Sequence, residues 1–379
     1  MKIVISIDSF KGSLTSLEGA NAIKESILKV DNNTEIKILP LADGGEGTVD
    51  ALVEGMNGEK QSILVTGPIE EKIKAEYGIL KESSTAIIEM AQGAGLPLVP
   101  LKLRNPLNTT TYGVGEMIKE AINKGCRNFI VGIGGSATND AGVGMLQALG
   151  FEFYDENNEK VGLGGKVLNE IKSIKTHNRL KELDECTFKV AFDVNNPLYG
   201  ENGAAYIYGP QKGGTKDIIK ELDQGLRNFA QVVKKDLGKD IANESGAGAA
   251  GGLGFGFLAF LNSKLESGIK IILEEIKFEE AVKDADFVIT GEGRLDNQTA
   301  MGKAPIGVAK IAKKHGAVVI AIAGCVTEDA VKCNEEGIDA YFSILTHATN
   351  VENAMKKENA LYNIKSTTTQ IFNLIKAMK

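Results

Sequence analysis

Charged side chains of both signs recur beside glycines in this sequence, each time at the end of an apolar run. The densest case is Phe287-Val288-Ile289-Thr290-Gly291-Glu292-Gly293-Arg294-Leu295-Asp296, which continues to Gly302-Lys303-Ala304-Pro305. The apolar run breaks at a glycine-flanked acid, an arginine and a second acid follow, and a lysine precedes an apolar-periodic segment. Opposed charges on a backbone with little side-chain bulk suit a phosphate and its metal ion better than a core.

Other segments carry related chemistry. Asp8, Ser9, Lys11 and Ser13 follow the opening apolar run Ile3-Val4-Ile5. A capping turn would use a hydroxyl of Ser13, Thr15 or Ser16, but it needs neither Asp8 nor Lys11. Asp43 and Glu46 flank Gly44-Gly45 after a second strand candidate. Their alternatives are a helix start favoured by the dipole and oxygen ligation of Mg²⁺. The stretch Gly132-Ile133-Gly134-Gly135-Ser136-Ala137-Thr138-Asn139-Asp140 precedes an apolar-periodic segment. Backbone N–H groups at a helix start would cradle an anion there, with Gly134, Gly135, Ser136 and Asn139 as contacts.

Gly132, Gly134 and Ala137 also fit a loose dinucleotide pattern, with Asp155 near the position of a ribose-binding acid. A nicotinamide-dependent hydroxy-acid dehydrogenase is therefore an alternative reading. Asp193 ends a strand candidate before Pro197, as an Asx-turn acid or a general base, and Lys212 lies in a later turn. Gly246, Gly248, Gly251 and Gly252 belong to a glycine run not preceded by a strand. Close helix packing and a nucleotide phosphate over bare backbone both account for it. No segment reads GxxxxGK[ST], and the motifs of protein kinases are missing, which excludes both of those kinase classes.

The elements that must position these residues read as βα units at both chain ends. Ile3–Ile5, residues 35–39, 287–289, 318–322 and 341–345 are strand candidates. Leu17, Ala20, Ile23, Ile27 and Val30 recur at helical spacing, as do Ile364, Ile371 and Ile375. Such alternation implies a parallel sheet covered on both faces. Between the ends, residues 62–65, 72–80 and 85–90 are consecutive strand candidates without helices, which favours antiparallel pairing. The expected class is therefore α/β with two domains. Residues 1–65 and 280–379 form a discontinuous Rossmann-like domain, and residues 66–279 an inserted mixed α/β domain. The unit spanning residues 108–150 could join either.

Composition narrows the partners. The chain has 379 residues, 44 of them glycine, and a net charge of -7. The charge offers no basic excess for nucleic acid. Cys126, Cys186, Cys325 and Cys333 form no CxxC pair, and with His177, His315 and His347 they give no zinc spacing. Reduced, mostly buried thiols in a cytoplasmic protein are expected. The N-terminal apolar core is too short for a signal peptide, and no apolar run approaches the ~20 residues of a membrane span. A non-enzymatic binding protein for small acids would also use a cleft, but it would not need several acids beside lysines.

Taken in order, these segments resemble the bacterial glycerate kinases of the first class. They are Asp8 to Ser13, Ala42 to Thr48, Gly132 to Asp140, Asp193-Val194 with Asn196-Pro197-Leu198, Gly200 to Ala204, Gly209 to Gly213, Gly246 to Gly254, and Gly291 to Arg294 with Gly302 to Pro305. The resemblance runs the length of the chain. It implies a two-domain enzyme that phosphorylates glycerate with ATP and a divalent metal in the cleft between the domains. Ile7, Ala141, Phe192 and Asn297 depart from residues common in that family.

Residue chemistry then suggests roles. Asp193 would accept the hydroxyl proton, with Asp296 second and Lys11 alongside as a catalytic cation. Asp43, Glu46 and Glu292 would hold Mg²⁺. Asp8, Ser9, Ser13, Gly134, Gly135, Ser136, Asn139, Arg294 and Lys303 would bind substrate and phosphate. Gly246, Gly248, Gly251, Gly252 and Lys212 would bind the nucleotide. Glycerate and ATP are the expected partners of a monomer or homodimer, and the choice between the 2- and 3-hydroxyl stays open.

Overall fold

A computed structural model describes residues 1–378 apart from Asp43 and Glu46. Its strands are, in chain order, β1 (Lys2–Ile5), β2 (Glu35–Ile38), β3 (Glu59–Thr66), β4 (Lys72–Leu80), β5 (Thr85–Glu89), β6 (Asn128–Gly132), β7 (Glu152–Tyr154), β8 (Ser173–Lys175), β9 (Thr187–Ala191), β10 (Ser263–Glu266), β11 (Phe287–Leu295), β12 (Val318–Val326) and β13 (Ala340–Ser343), of which β7, β8 and β10 were not expected from the sequence. The chain divides into two compact units. One comprises Met1–Asp43, Asp50–Asn57 and Ile269–Lys379, the other Gly44–Val49 and Gly58–Gly268.

The first unit holds a sheet in the order β13-β12-β11-β1-β2, parallel throughout. Ile3, Val4 and Ile5 of its central strand are fully buried, as a strand covered on both faces requires. The helix Ser16–Val30 starts at a capping box. Thr15 Oγ1 accepts from Glu18 N, and the Glu18 carboxylate accepts from Thr15 N. Its buried face includes Ala20, Ile23 and Ile27, and it packs on the closing helix Lys357–Ala377 through a core containing Ile7, Ile364 and Phe372.

From β1 the chain moves outward to β2. On the other side of β1 lies β11, from which the order runs outward to β12 and β13. Connections therefore diverge at the carboxyl ends of β1 and β11. Such a reversal of strand order leaves a crevice at the sheet edge where ligands collect.

One sequence expectation changes here. The apolar run breaks in the sequence at the glycine-flanked Glu292, but β11 continues to Leu295, because β12 extends equally far and pairs Glu292 with Ala323 and Arg294 with Cys325. Gly291 permits this close pairing, since a Cβ there would stand 2.0 Å from the Ile322 carbonyl oxygen. Glu292 and Arg294 are thus strand residues two apart, on one face.

The second unit holds a mixed sheet in the order β10-β9-β6-β5-β4-β3. β3, β4 and β5 pair antiparallel, as their succession without helices implies, while β5, β6, β9 and β10 run parallel. β7 and β8 make a separate antiparallel pair. Phe129 of β6 stacks on Phe188 of β9 with centroids 4.6 Å apart. The helix Lys216–Leu237 buries Ile219, Leu222, Leu226, Phe229 and Val233 along one face.

The helix Ala249–Phe260 is broken near its start, where Ala250, Gly251 and Gly252 take left-handed angles. Ala141, whose N–H donates to Gly251 O (3.1 Å), is left-handed too, with φ 51°. A glycine occupies that angle without the Cβ clash that costs an L-residue about 1–2 kcal/mol. Ala141→Gly is therefore expected to stabilise the second unit by about 1 kcal/mol after the glycine's own entropy cost. A higher urea midpoint for the transition that carries the second unit's signal would bear this out; an unchanged or lower midpoint would refute it.

Candidate active site

The crevice of the first unit opens as a cavity of about 560 Å³. Asp8, Ser9, Lys11 and Ser13 enter it from the loop after β1, and Glu292 and Arg294 from the end of β11. Asp296 follows them, and Lys303 comes from just before the helix Ala304–Lys314. Eight residues that sequence reasoning drew from two distant segments therefore line one wall. Backbone pairing continues past β1, with Ser6 N donating to Ile289 O and Asp8 N to Gly291 O (both 2.8 Å). This continuation holds the loop beside the end of β11 that carries Glu292.

A short-range network fixes these side chains. Asp296 caps the short helix Asn297–Ala300, its Oδ1 accepting from Gln298 N (2.9 Å) and Thr299 N (3.3 Å). Thr299 Oγ1 accepts from Asp296 N (3.2 Å) and donates to Glu292 Oε1 (2.6 Å). Arg294 Nε lies 3.4 Å from Asp296 Oδ2. Lys303 Nζ donates to Gln298 Oε1 (3.0 Å). Asp8 is buried, and its Oδ1 accepts from Ser9 N (2.6 Å). Ser13 Oγ is buried with no hydrogen-bond partner.

Burial raises the Glu292 pKa, the Thr299 hydrogen bond and the Lys303 and Lys11 charges opposing it while Asp296 adds to it. A half-buried carboxylate of this kind gains from a further cation. Among the described residues no cluster of three or more His, Cys, Asp or Glu is arranged to hold a metal. A Mg²⁺ ion engaged with phosphates needs only one or two protein carboxylates, and Glu292 and Asp296 are the carboxylates of this cavity that could hold one. Asp43 and Glu46, the other metal candidates, lie outside the described residues.

A second, smaller cavity of about 260 Å³ lies in the second unit, past the carboxyl ends of β6 and β9. Gly134, Gly135, Ser136, Asp193 and Lys212 line it, with Gly44, Gly45, Tyr208 and Ala250. Lys212 is 2% exposed, and its Nζ donates to Thr138 O (2.6 Å) and Ser136 Oγ (2.8 Å). Burial lowers its pKa to about 7, with the Asp140 charge opposing.

Asp140 accepts from Thr111 N and Oγ1 (both 2.8 Å), Gly142 N (3.1 Å) and Gly144 N (3.3 Å), so it serves the fold of its loop. Burial nonetheless raises its pKa.

Several expectations are corrected. The turn at Gly134 does not open a helix, because the chain runs on to Val143 before one begins. The dinucleotide pattern thereby loses its context, and Asp155 accepts from Asn157 N and Glu159 N as a turn former. Asn139 is fully buried, lines neither cavity, and has no partner for its side-chain amide.

The four glycines of the late run also line neither cavity. A Cβ would meet Phe192 at Gly246 (2.6 Å), Pro197 O at Gly248 (2.2 Å), Thr138 O at Gly251 (2.0 Å) and Leu198 at Gly252 (2.8 Å). Close packing accounts for them. Cys325 is exposed, unlike the other cysteines, and lines the larger cavity.

Sequence reasoning missed Thr299, although the Asp-x-x-Thr spacing of a capping box announced it, and Tyr208. It also missed the apolar wall of the larger cavity, formed by Leu345, Val351 and Met355.

Both cavities draw on segments with relatives elsewhere. Residues 3–376 match the model of the glycerate kinase family. The glycerate kinase of Halalkalibacterium halodurans is 48% identical over 359 residues, covering 95% of this chain and 94% of that protein. The glycerate 2-kinase of Escherichia coli is 47% identical over 356 residues, covering 94% and 93%. A crystal structure assigned to a glycerate kinase 2 of Salmonella typhimurium LT2 superposes with a TM-score of 0.92 at 43% identity, covering 100% of this chain and 98% of that one. With its motifs, fold and nearly its whole length shared, the chain belongs to the glycerate kinase family.

Proposed function

We propose that the protein transfers the γ-phosphoryl group of ATP to D-glycerate, giving a phosphoglycerate and ADP. The observation that carries this reading is the grouping of Glu292, Arg294 and Asp296 with Lys11 and Lys303 around one cavity at the strand-order reversal of a parallel sheet. Phosphoryl transfer asks a protein mainly to position its reactants and to neutralise charge. Lys11, Arg294 and Lys303 would bind the phosphate oxygens, with Ser9 and the Ser13 hydroxyl as donors and Asp8 fixing the loop that carries them. Glu292 and Asp296 would hold Mg²⁺, which when bound neutralises phosphate charge.

The smaller cavity suits a three-carbon hydroxy acid. Its anion would lie against Lys212 and the Gly134-Gly135-Ser136 turn, with Asp193 at the hydroxyl. In the transfer the glycerate hydroxyl oxygen bonds to the γ-phosphorus. The bond from that phosphorus to the bridging oxygen breaks, ADP leaves, and the hydroxyl proton passes to the Asp193 carboxylate. The name of the Escherichia coli relative specifies the 2-hydroxyl, and we take the same acceptor for this chain. Phosphorus NMR of the product distinguishes it from the 3-phosphate.

Glycerate-dependent release of ADP by the purified protein is the direct test, and its absence would refute the kinase reading. Asp193→Asn should lower kcat by about 10²- to 10⁴-fold, the range for loss of a positioned acid or base. A variant with near-normal kcat would remove Asp193 from that role. Glu292→Gln should raise the Mg²⁺ concentration needed for half-maximal rate, and an unchanged Mg²⁺ response would exclude it as a ligand.

Lys212 gives two trends of opposite sign. Its folded pKa of about 7 lies below the ordinary 10.5, so between those values the native state binds fewer protons than the unfolded one. Stability attributable to Lys212 therefore rises with pH across that window. An ammonium needed for glycerate binding is lost over the same range, so kcat/KM for glycerate should fall above about pH 7. In Lys212→Met the stability trend should flatten and glycerate turnover should drop at every pH. A variant that keeps the wild-type pH dependence of both would overturn the assignment.

A further inference from the structure

The larger cavity has a second side that the phosphate chemistry does not use. Its lining also includes Leu345, Val351 and Met355, which are 41%, 72% and 40% exposed, with the buried Ile344 and Phe10. Leu345 follows the end of β13, and Val351–Met355 is a short helix capped by Asn350, whose Oδ1 accepts from Asn353 N (2.8 Å). The apolar wall is joined to the cationic loop. Gly12, next to Lys11, approaches Met355 so closely that a Cβ would stand 2.9 Å from the Met355 Cε. Exposed aliphatic side chains lining the same cavity as Lys11, Arg294 and Lys303 fit a ligand with one flat apolar end and one polyanionic end.

Size separates the two reactants. A cavity of about 560 Å³ would leave a three-carbon acid mostly in water, and one of about 260 Å³ would not hold a nucleoside triphosphate. The glycine run that the sequence offered for the nucleotide is filled by its own packing and lines neither space. We infer that the nucleotide occupies the cavity of the first unit, its base and ribose against Leu345, Val351 and Met355 and its phosphates on Lys11, Arg294 and Lys303. This placement rests on the kinase reading for the identity of the nucleotide, but it is tested separately from it.

The chain contains no tryptophan, so a single introduced indole reports on its own surroundings. Leu345→Trp places it in the cavity at a half-exposed position, and Val351→Trp is a second reporter at a more exposed one. MgATP and adenosine alone are each expected to change the emission saturably, while glycerate alone leaves it unchanged.

A change with glycerate alone, or with inorganic triphosphate but not adenosine, would overturn the placement of the nucleoside. So would no response to MgATP from either reporter. In Val351→Asp the KM for ATP should rise by about tenfold or more, the factor produced by losing ~1.4 kcal/mol of binding, with the KM for glycerate little changed. A rise in the glycerate KM instead would count against the site. An indole that responds to adenosine in a protein with no glycerate-dependent ADP release would leave the nucleotide site standing and remove the kinase reading.

Discussion

The close approach of β11 to β12 is the constraint on which the phosphate-facing side of this protein depends. A side chain at Gly291 would collide with the Ile322 carbonyl, so the pairing can continue to Leu295 only with glycine there. Because it continues, Glu292 and Arg294 project from a strand instead of a loop, and Asp296 caps the helix that follows at once. Opposed charges that would shift in a mobile segment are thus held by main-chain hydrogen bonds. The Lys11 loop is aligned with them because β1 pairs with β11 in parallel and its pairing runs on through Asp8.

Electrostatics differ between the two cavities. The first has cations and carboxylates in mutual reach, and most of its charged groups retain contact with solvent or with each other. The second has a single ammonium driven into the interior, satisfied by a hydroxyl and a carbonyl from the Ser136–Thr138 turn. Desolvation of an amine in this way lowers its affinity for a proton. An incoming carboxylate or phosphoryl oxygen would restore it, so the charge of Lys212 and the occupancy of its cavity are coupled.

Much of this was legible in the sequence. The βα units at both ends, the antiparallel succession in the middle and the acid–glycine–arginine segment all follow from apolar periodicity and glycine placement, and the structure groups the Asp8–Ser13 and Glu292–Lys303 residues as one wall. What was not legible has physical causes. The run at Gly246 to Gly254 contains glycines for the same steric reason whether a ligand or a carbonyl approaches, and letters do not distinguish the two. The burial of Lys212 depends on Ser136, which lies 76 residues earlier, so no local pattern announces it. The apolar run ending at Leu345 suggests one strand to that residue, but β13 stops at Ser343, and Leu345 lines the cavity. Ala141 stands out in the sequence as a departure from the family resemblance, and its angle is left-handed, one that glycine takes without a Cβ clash.

The hydroxyl of Thr299 has one hydrogen and two commitments. It gives the hydrogen to Glu292 and receives the amide hydrogen of Asp296 on a lone pair. The first turn of a helix and the orientation of a carboxylate therefore hang from the same oxygen atom. Serine preserves both attachments. Valine, equal in shape, severs them together, so at this position side-chain volume counts for little and a single oxygen for almost everything.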